Sequence, residues 1–120
     1  MADRDPTYQA DCLFCRVAAG EIPSDRVFED ETVIVFRDIN PKAPTHVLAI
    51  PRRHLASIAD LTEADCDLLA ALFRALRTVA RAGGLEGYRI VSNVGAESGQ
   101  SVFHLHFHLL GGRPMTWPPG

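Results

Sequence analysis

Between Phe103 and Leu110 apolar residues alternate with His104, His106 and His108. A period of two predicts a strand over residues 103–110. The histidines would share one face, while Phe103, Leu105, Phe107 and Leu109 face a core. Successive imidazoles would stand about 6.6–6.8 Å apart, because a strand advances about 3.3–3.4 Å per residue. Residues 26–29 and 32–38 read as a hairpin turning at Asp30-Glu31. Val33, Val35 and Arg37 would lie on one side of it, Ile34 and Phe36 on the other. Residues 46–50 form the next strand, closed by Pro51, and residues 88–92 another. A three-and-four spacing of Leu68, Leu69, Leu72, Phe73, Leu76, Val79 and Ala80 predicts one long helix. Asp60-Leu61-Thr62-Glu63 has the form of a capping box with Asp60 as the cap, and Thr62 is an equally good start. Gly83-Gly84 ends that helix, and a short helix over residues 12–19 ends at Gly20.

These elements make an α+β domain: a five-stranded, mainly antiparallel sheet, one long helix and a short N-terminal helix. Only one connection is long enough to hold a crossover helix, which disfavours parallel pairing. Residues 12–120 read as a single domain, and the polar residues 1–11 as a flexible N-terminus. A net charge of −3 argues against a broad basic surface for polymeric nucleic acid, though not against a single nucleotide. No apolar run is long enough to span a membrane, and the polar, acidic start does not resemble a signal peptide. Three cysteines form no disulfide framework, so the expected location is cytoplasmic.

Three adjacent imidazoles suit phosphate chemistry or metal binding. The stretch from His104 to Leu110 is similar to the motif that names the histidine-triad (HIT) family. Phe14, Glu21-Ile22-Pro23, Phe28-Glu29-Asp30, Asp38-Ile39, Ala43-Pro44-Thr45-His46, Ile50-Pro51, Gly99-Gln100-Ser101-Val102 and Trp117-Pro118-Pro119-Gly120 resemble its Hint branch. The resemblance implies a HIT-like fold and a homodimer. It also implies hydrolysis of purine, typically adenosine, 5′-phosphoramidates through a nucleotidyl-histidine, with no cofactor needed for the chemistry. By position, His106 becomes the nucleophile, His108 and His46 phosphate contacts, and Ser101 a contact near the leaving group. Asp38 becomes a ribose ligand and Asn93 an active-site polar residue, with Gly99 and Gln100 beside them. Phe14, Val17, Ile22, Phe36 and Leu48 take positions around the base.

The residues themselves leave alternatives open. Imidazole is a nucleophile that is uncharged at neutral pH, so the chemistry is sound, but the spacing only permits it. His46 also reads as a hydrogen-bonded histidine at a strand start, and Ser101 and Asn93 as turn formers. Asp38 reads as the start of the Asn-Pro turn, and the five apolar residues as core. Rival functions are a metal-dependent hydrolase using all three clustered histidines, another HIT hydrolase or transferase such as a dinucleotide hydrolase, and a nucleotide-binding scaffold with little turnover.

Cys12 and Cys15 form a CxxC. The resemblance extends to family members in which such a pair joins two histidines on a structural zinc, here Cys12, Cys15, His54 and His104. A Cys2His2 set suits a closed, structural site. A redox pair or two packing thiols are the other readings. The resemblance also carries the segment around Trp117 across to the partner subunit.

Overall fold

A computed structural model describes residues 4–120. Five strands form one antiparallel sheet: β1 (Arg26–Glu29), β2 (Val33–Arg37), β3 (Thr45–Pro51), β4 (Tyr88–Val91) and β5 (Phe107–Gly111). Their spatial order is β1-β2-β3-β5-β4. Helix α1 (Leu13–Ala18) precedes the sheet, and α2 (Cys66–Ala82) connects β3 to β4. No helix among the described residues is long and apolar enough to cross a membrane.

Alternation sorts the sheet into two faces. Val33, Val35, Val47, Ala49, Phe107 and Leu109 pack against Leu68, Leu72, Ala75, Leu76 and Ala80 of α2. Ile34, Phe36, Leu48 and Ile50 pack on the other side against Cys12, Phe14, Cys15 and Val17. Residues two apart share a face, so His108 falls on the side opposite α2. The long helix thus builds the scaffold and leaves the chemistry to the second face.

The histidine strand is shorter than expected, because β5 begins only at Phe107. In the β3–β5 register Ala49 faces Phe107, which would put Leu105 opposite Pro51. Proline has no N–H to donate, so the ladder cannot continue there. Leu105 bonds instead to the carbonyl of Leu55. Phe103 consequently leaves the core and is 51% exposed, while Leu105 stays buried.

Thr62, not Asp60, caps the 3-10 turn over Glu63–Asp65 that leads directly into the long helix. Its hydroxyl accepts from Ala64 N–H, and the Asp65 carboxylate accepts from Thr62 N–H. Asp60 closes a separate 3-10 turn over Ile58–Asp60. Gly84, at φ +69°, takes the left-handed position after the helix, where only glycine is unstrained. Phe73 stands at the edge of the apolar stripe and is 44% exposed.

The N-terminal stretch, expected to be loose, is tied down from Arg4 onward. Arg4 and the Tyr8 hydroxyl both bond the Glu21 carboxylate, and Thr7 Oγ1 accepts from His54 N–H. Residues 1–3 of that expected flexible segment lie outside the described residues.

Candidate active site and metal centre

His106 sits in the irregular lead-in to β5, and two hydrogen bonds fix it. Its Nδ1–H donates to the carbonyl of His104 at 2.7 Å, and the Ser92 hydroxyl donates to the His106 carbonyl at 2.7 Å. The Phe14 ring stands edge-on to the imidazole, centroids 5.1 Å apart. Because Nδ1 holds the proton of the neutral ring, Nε2 carries the lone pair. Burial, first, lowers the His106 pKa against the pull of the His104 carbonyl and Asp38, which keeps the ring uncharged.

His108 is set the opposite way. Lys42 N–H donates to His46 Nδ1 at 3.0 Å, which leaves the proton of neutral His46 on Nε2. That nitrogen lies 2.9 Å from His108 Nδ1, which must accept, so His108 keeps its proton on Nε2. Burial first, then neighbouring His106 and His46, push His108 down to about 4. His46 is lowered by burial against the pull of Asp38, whose Oδ2 lies 3.4 Å from its Nε2. Two neutral imidazoles, one presenting a lone pair and the other an N–H, therefore stand side by side with centroids 5.1 Å apart.

His106 and His108 line a pocket of about 650 Å³ together with Phe14, Val17, Ile22, Phe36, Leu48, Asp38 and Ser101. That volume lies within the usual range for a small-molecule site, and most of the walls are apolar with polar groups at one end. Leu13, Val102 and Ile39 also line it. The sequence reading gave Leu13 and Ile39 no place in a pocket, because an exposed apolar side chain breaks no pattern.

The remaining residues are placed differently. His46 is buried behind His108 and both its nitrogens face protein groups. Asn93 is half-buried at the end of β4 and is not among the pocket-lining residues. Gln100 spends its carboxamide on its own loop and on Ala56: it accepts from Gly95 N–H and donates to the Ala56 and Val102 carbonyls. Gly99, at φ +97°, makes the turn beside it. Ser92 and Lys42 are further residues the sequence did not reveal, since a strand-end serine and a backbone amide carry no motif.

The second constellation assembles from distant segments. Cys12 caps α1 and Cys15 lies within its first turn, His54 follows β3, and His104 precedes β5. Cys12 Sγ lies 3.4 Å from His104 Nδ1, and Cys15 Sγ lies 3.3 Å from His54 Nδ1 and 3.6 Å from His104 Nδ1. The two Nδ1 atoms are 3.2 Å apart. A tetrahedron with usual zinc–sulfur and zinc–nitrogen bonds has mixed edges of about 3.6 Å and a nitrogen–nitrogen edge of about 3.3 Å. The four donors thus fit a zinc-sized tetrahedron.

The hydrogen bond on the far side of the His104 ring agrees with that fit. His104 Nε2–H donates to the Pro51 carbonyl at 2.8 Å, which turns the Nδ1 lone pair inward. Burial first holds His104 down at about 4 and pushes the Cys15 thiol up to about 11. A bound cation would reverse the thiol's preference. His104 thus joins two centres, with its ring in the sulfur cluster and its carbonyl on His106.

Comparisons with known proteins agree with this geometry. A family model described as "Scavenger mRNA decapping enzyme C-term binding" matches residues 11–117. A 14 kDa zinc-binding protein of Zea mays is 50% identical over 111 residues, covering 90% of this chain and 87% of the relative. Adenylylsulfatase HINT1 of Arabidopsis thaliana is 47% identical, covering 90% and 76%. A solved HIT family hydrolase from Legionella pneumophila superposes with a TM-score of 0.90 at 54% identity, covering 92% of this chain and 100% of that one.

Proposed function

The chain belongs to the histidine-triad (HIT) family, and on that footing we propose that it hydrolyses purine nucleoside 5′-phosphoramidates to a nucleoside monophosphate and an amine. The observation that carries the reading is the pair of opposed imidazoles at the polar end of an apolar, nucleotide-sized pocket. The base lies between the apolar walls, the ribose hydroxyls reach Asp38, and the phosphoryl group meets His106 and His108.

His106 Nε2 attacks phosphorus as the P–N bond breaks and its electron pair leaves with nitrogen. Water, passed by the Ser101 hydroxyl, supplies the departing amine's proton. His108 Nε2–H donates to a phosphoryl oxygen whose charge grows in the transition state. The hydroxide left by that water then attacks the nucleotidyl-histidine at phosphorus, releasing the monophosphate as the P–N bond to His106 breaks and returns the lone pair to Nε2.

The identity of the leaving group is the finer question. The Arabidopsis relative's name, adenylylsulfatase, supports a second reading in which the same attack expels sulfate from an adenylyl sulfate. Comparing adenosine 5′-phosphoramidate and adenosine 5′-phosphosulfate separates the two. Under the favoured reading the phosphoramidate has the higher kcat/KM. His106→Ala then loses on the order of 10³-fold or more in kcat. Turnover that survived the substitution would remove His106 as nucleophile, and a folded wild type inert to both substrates would leave a nucleotide-binding scaffold.

Cys12, Cys15, His54 and His104 hold a structural zinc in this reading. When bound, that ion ties α1 to the lead-in of β5 and takes no part in the reaction. The protein acts as a homodimer in the cytoplasm, a setting consistent with its free thiols. Trp117, 81% exposed on its own subunit, reaches toward the partner.

A further inference from the structure

The hydrogen bond that orients His46, and through it His108, comes from the backbone of Lys42. Lys42 lies on the turn between β2 and β3, and that turn is held by the chain leaving β5. Arg113 Nε donates to the Lys42 carbonyl at 3.0 Å. One residue earlier, Gly112 runs so close to Pro44 that a Cβ there would stand 2.9 Å from Pro44 Cβ. Gly112 also has φ +90°, so its close approach needs glycine on both counts. Two neighbouring residues after β5 therefore clasp the turn that carries the Lys42 amide.

We propose that Arg113 is a positioning residue of the active site, acting through Lys42, His46 and His108 to keep an N–H aimed at the substrate. The proposal rests on the functional reading above for its kinetic consequence, though not for its structural one. Releasing the Lys42 carbonyl lets the turn move and loosens its amide from His46 Nδ1. His46 is then free to carry its proton on Nδ1 and to present a lone pair from Nε2. His108 must answer with a proton on its own Nδ1, since two lone pairs 2.9 Å apart repel. Its Nε2 would then face the phosphoryl oxygen as an acceptor. The donor becomes a repulsive group without any change in a pocket-lining residue. Asp38 Oδ2, 3.4 Å from His46 Nε2, favours the original setting, so the loss is partial.

Arg113→Gln and Arg113→Met test this together, because the amide nitrogen of glutamine sits as many bonds from the backbone as arginine Nε. Glutamine keeps the donor and loses the charge, whereas methionine loses both. We expect Arg113→Met to lower kcat on adenosine 5′-phosphoramidate about three- to tenfold with KM nearly unchanged, the scale of one hydrogen bond. Arg113→Gln should stay close to wild type. Nitrogen-15 NMR of the imidazoles, read without substrate, should show His46 and His108 as single Nε2–H tautomers in wild type and Arg113→Gln, and as mixtures in Arg113→Met.

Unchanged imidazole signals in Arg113→Met would overturn the proposal whatever the kinetics. So would an equal fall in kcat for both variants, or an effect on KM alone. If wild type turns over no phosphoramidate, the functional reading fails while the NMR comparison still decides the role of Arg113.

Discussion

At the scale of single residues, neighbouring histidines differ because their backbone partners differ. His106 and His108 are two positions apart in one motif, yet the His104 carbonyl makes one an acceptor toward the pocket and the Lys42 amide makes the other a donor. The motif pointed to both residues, but their tautomers depend on main-chain groups that a sequence cannot place. Burial adds a pH dependence. His108 titrates near 4, against about 6.5 in an unfolded chain. Between those values the unfolded state holds a proton that the folded state refuses, so stability falls as pH falls. The contribution is complete above about 6.5 and lost by about 4. Urea unfolding from pH 7 to pH 4 should therefore show a shallower decline in His108→Gln than in wild type, by roughly one proton. Parallel declines would assign the pH dependence to other groups.

Among the elements, α1 depends most on its surroundings. Its six residues are too few for a stable isolated helix. Cys12 caps it and Cys15 lies one turn on, while Phe14 between them faces His106 and the Phe36 ring, 5.5 Å away. The same short helix carries two of the four sulfur and nitrogen donors and one wall of the pocket. The CxxC pointed to a candidate metal-ligand set, but nothing in the spacing showed that Phe14 between its cysteines stands edge-on to His106. Likewise Pro51 was visible as a strand end for β3, while its interruption of the neighbouring histidine strand emerges only from the register. Native protein should contain about one zinc per chain. Chelation, or the pair Cys12→Ser and Cys15→Ser, should increase hydrogen exchange in α1 and residues 101–106 while leaving α2 protected. Metal-free native protein with α1 equally protected in both forms would return the cysteines to a packing role.

For the molecule as a whole, strand alternation and one amphipathic helix sufficed to identify an α+β sheet protein, because those patterns report burial directly. A surface for association is harder to read, since exposed apolar residues at a sheet edge look like imperfections in the fold. The two sheet edges differ. At one, β1 carries Arg26 and Glu29 and an irregular register, features that discourage pairing. At the other, β4 is regular in its pairing with β5, and its Tyr88 is 42% exposed. Beside that edge Phe73, which sits outside the buried stripe of α2, forms a shallow apolar hollow with Ala70, Tyr88 and Ile90, flanked by Arg74 and Arg77. Burying these side chains against a second copy would remove Phe73 and Tyr88 from water and continue the sheet across a two-fold axis. Light scattering at micromolar concentration should therefore give about twice the 13.1 kDa chain mass. Phe73→Glu should shift the protein to the monomer, because a charge in a two-fold contact meets its own copy nearby. A monomeric wild type, or a variant that stays dimeric, would place association elsewhere. The Phe73 ring packs on Phe107 at 5.1 Å, immediately after His106, so a loss of turnover on dissociation would show that such a contact also steadies His106.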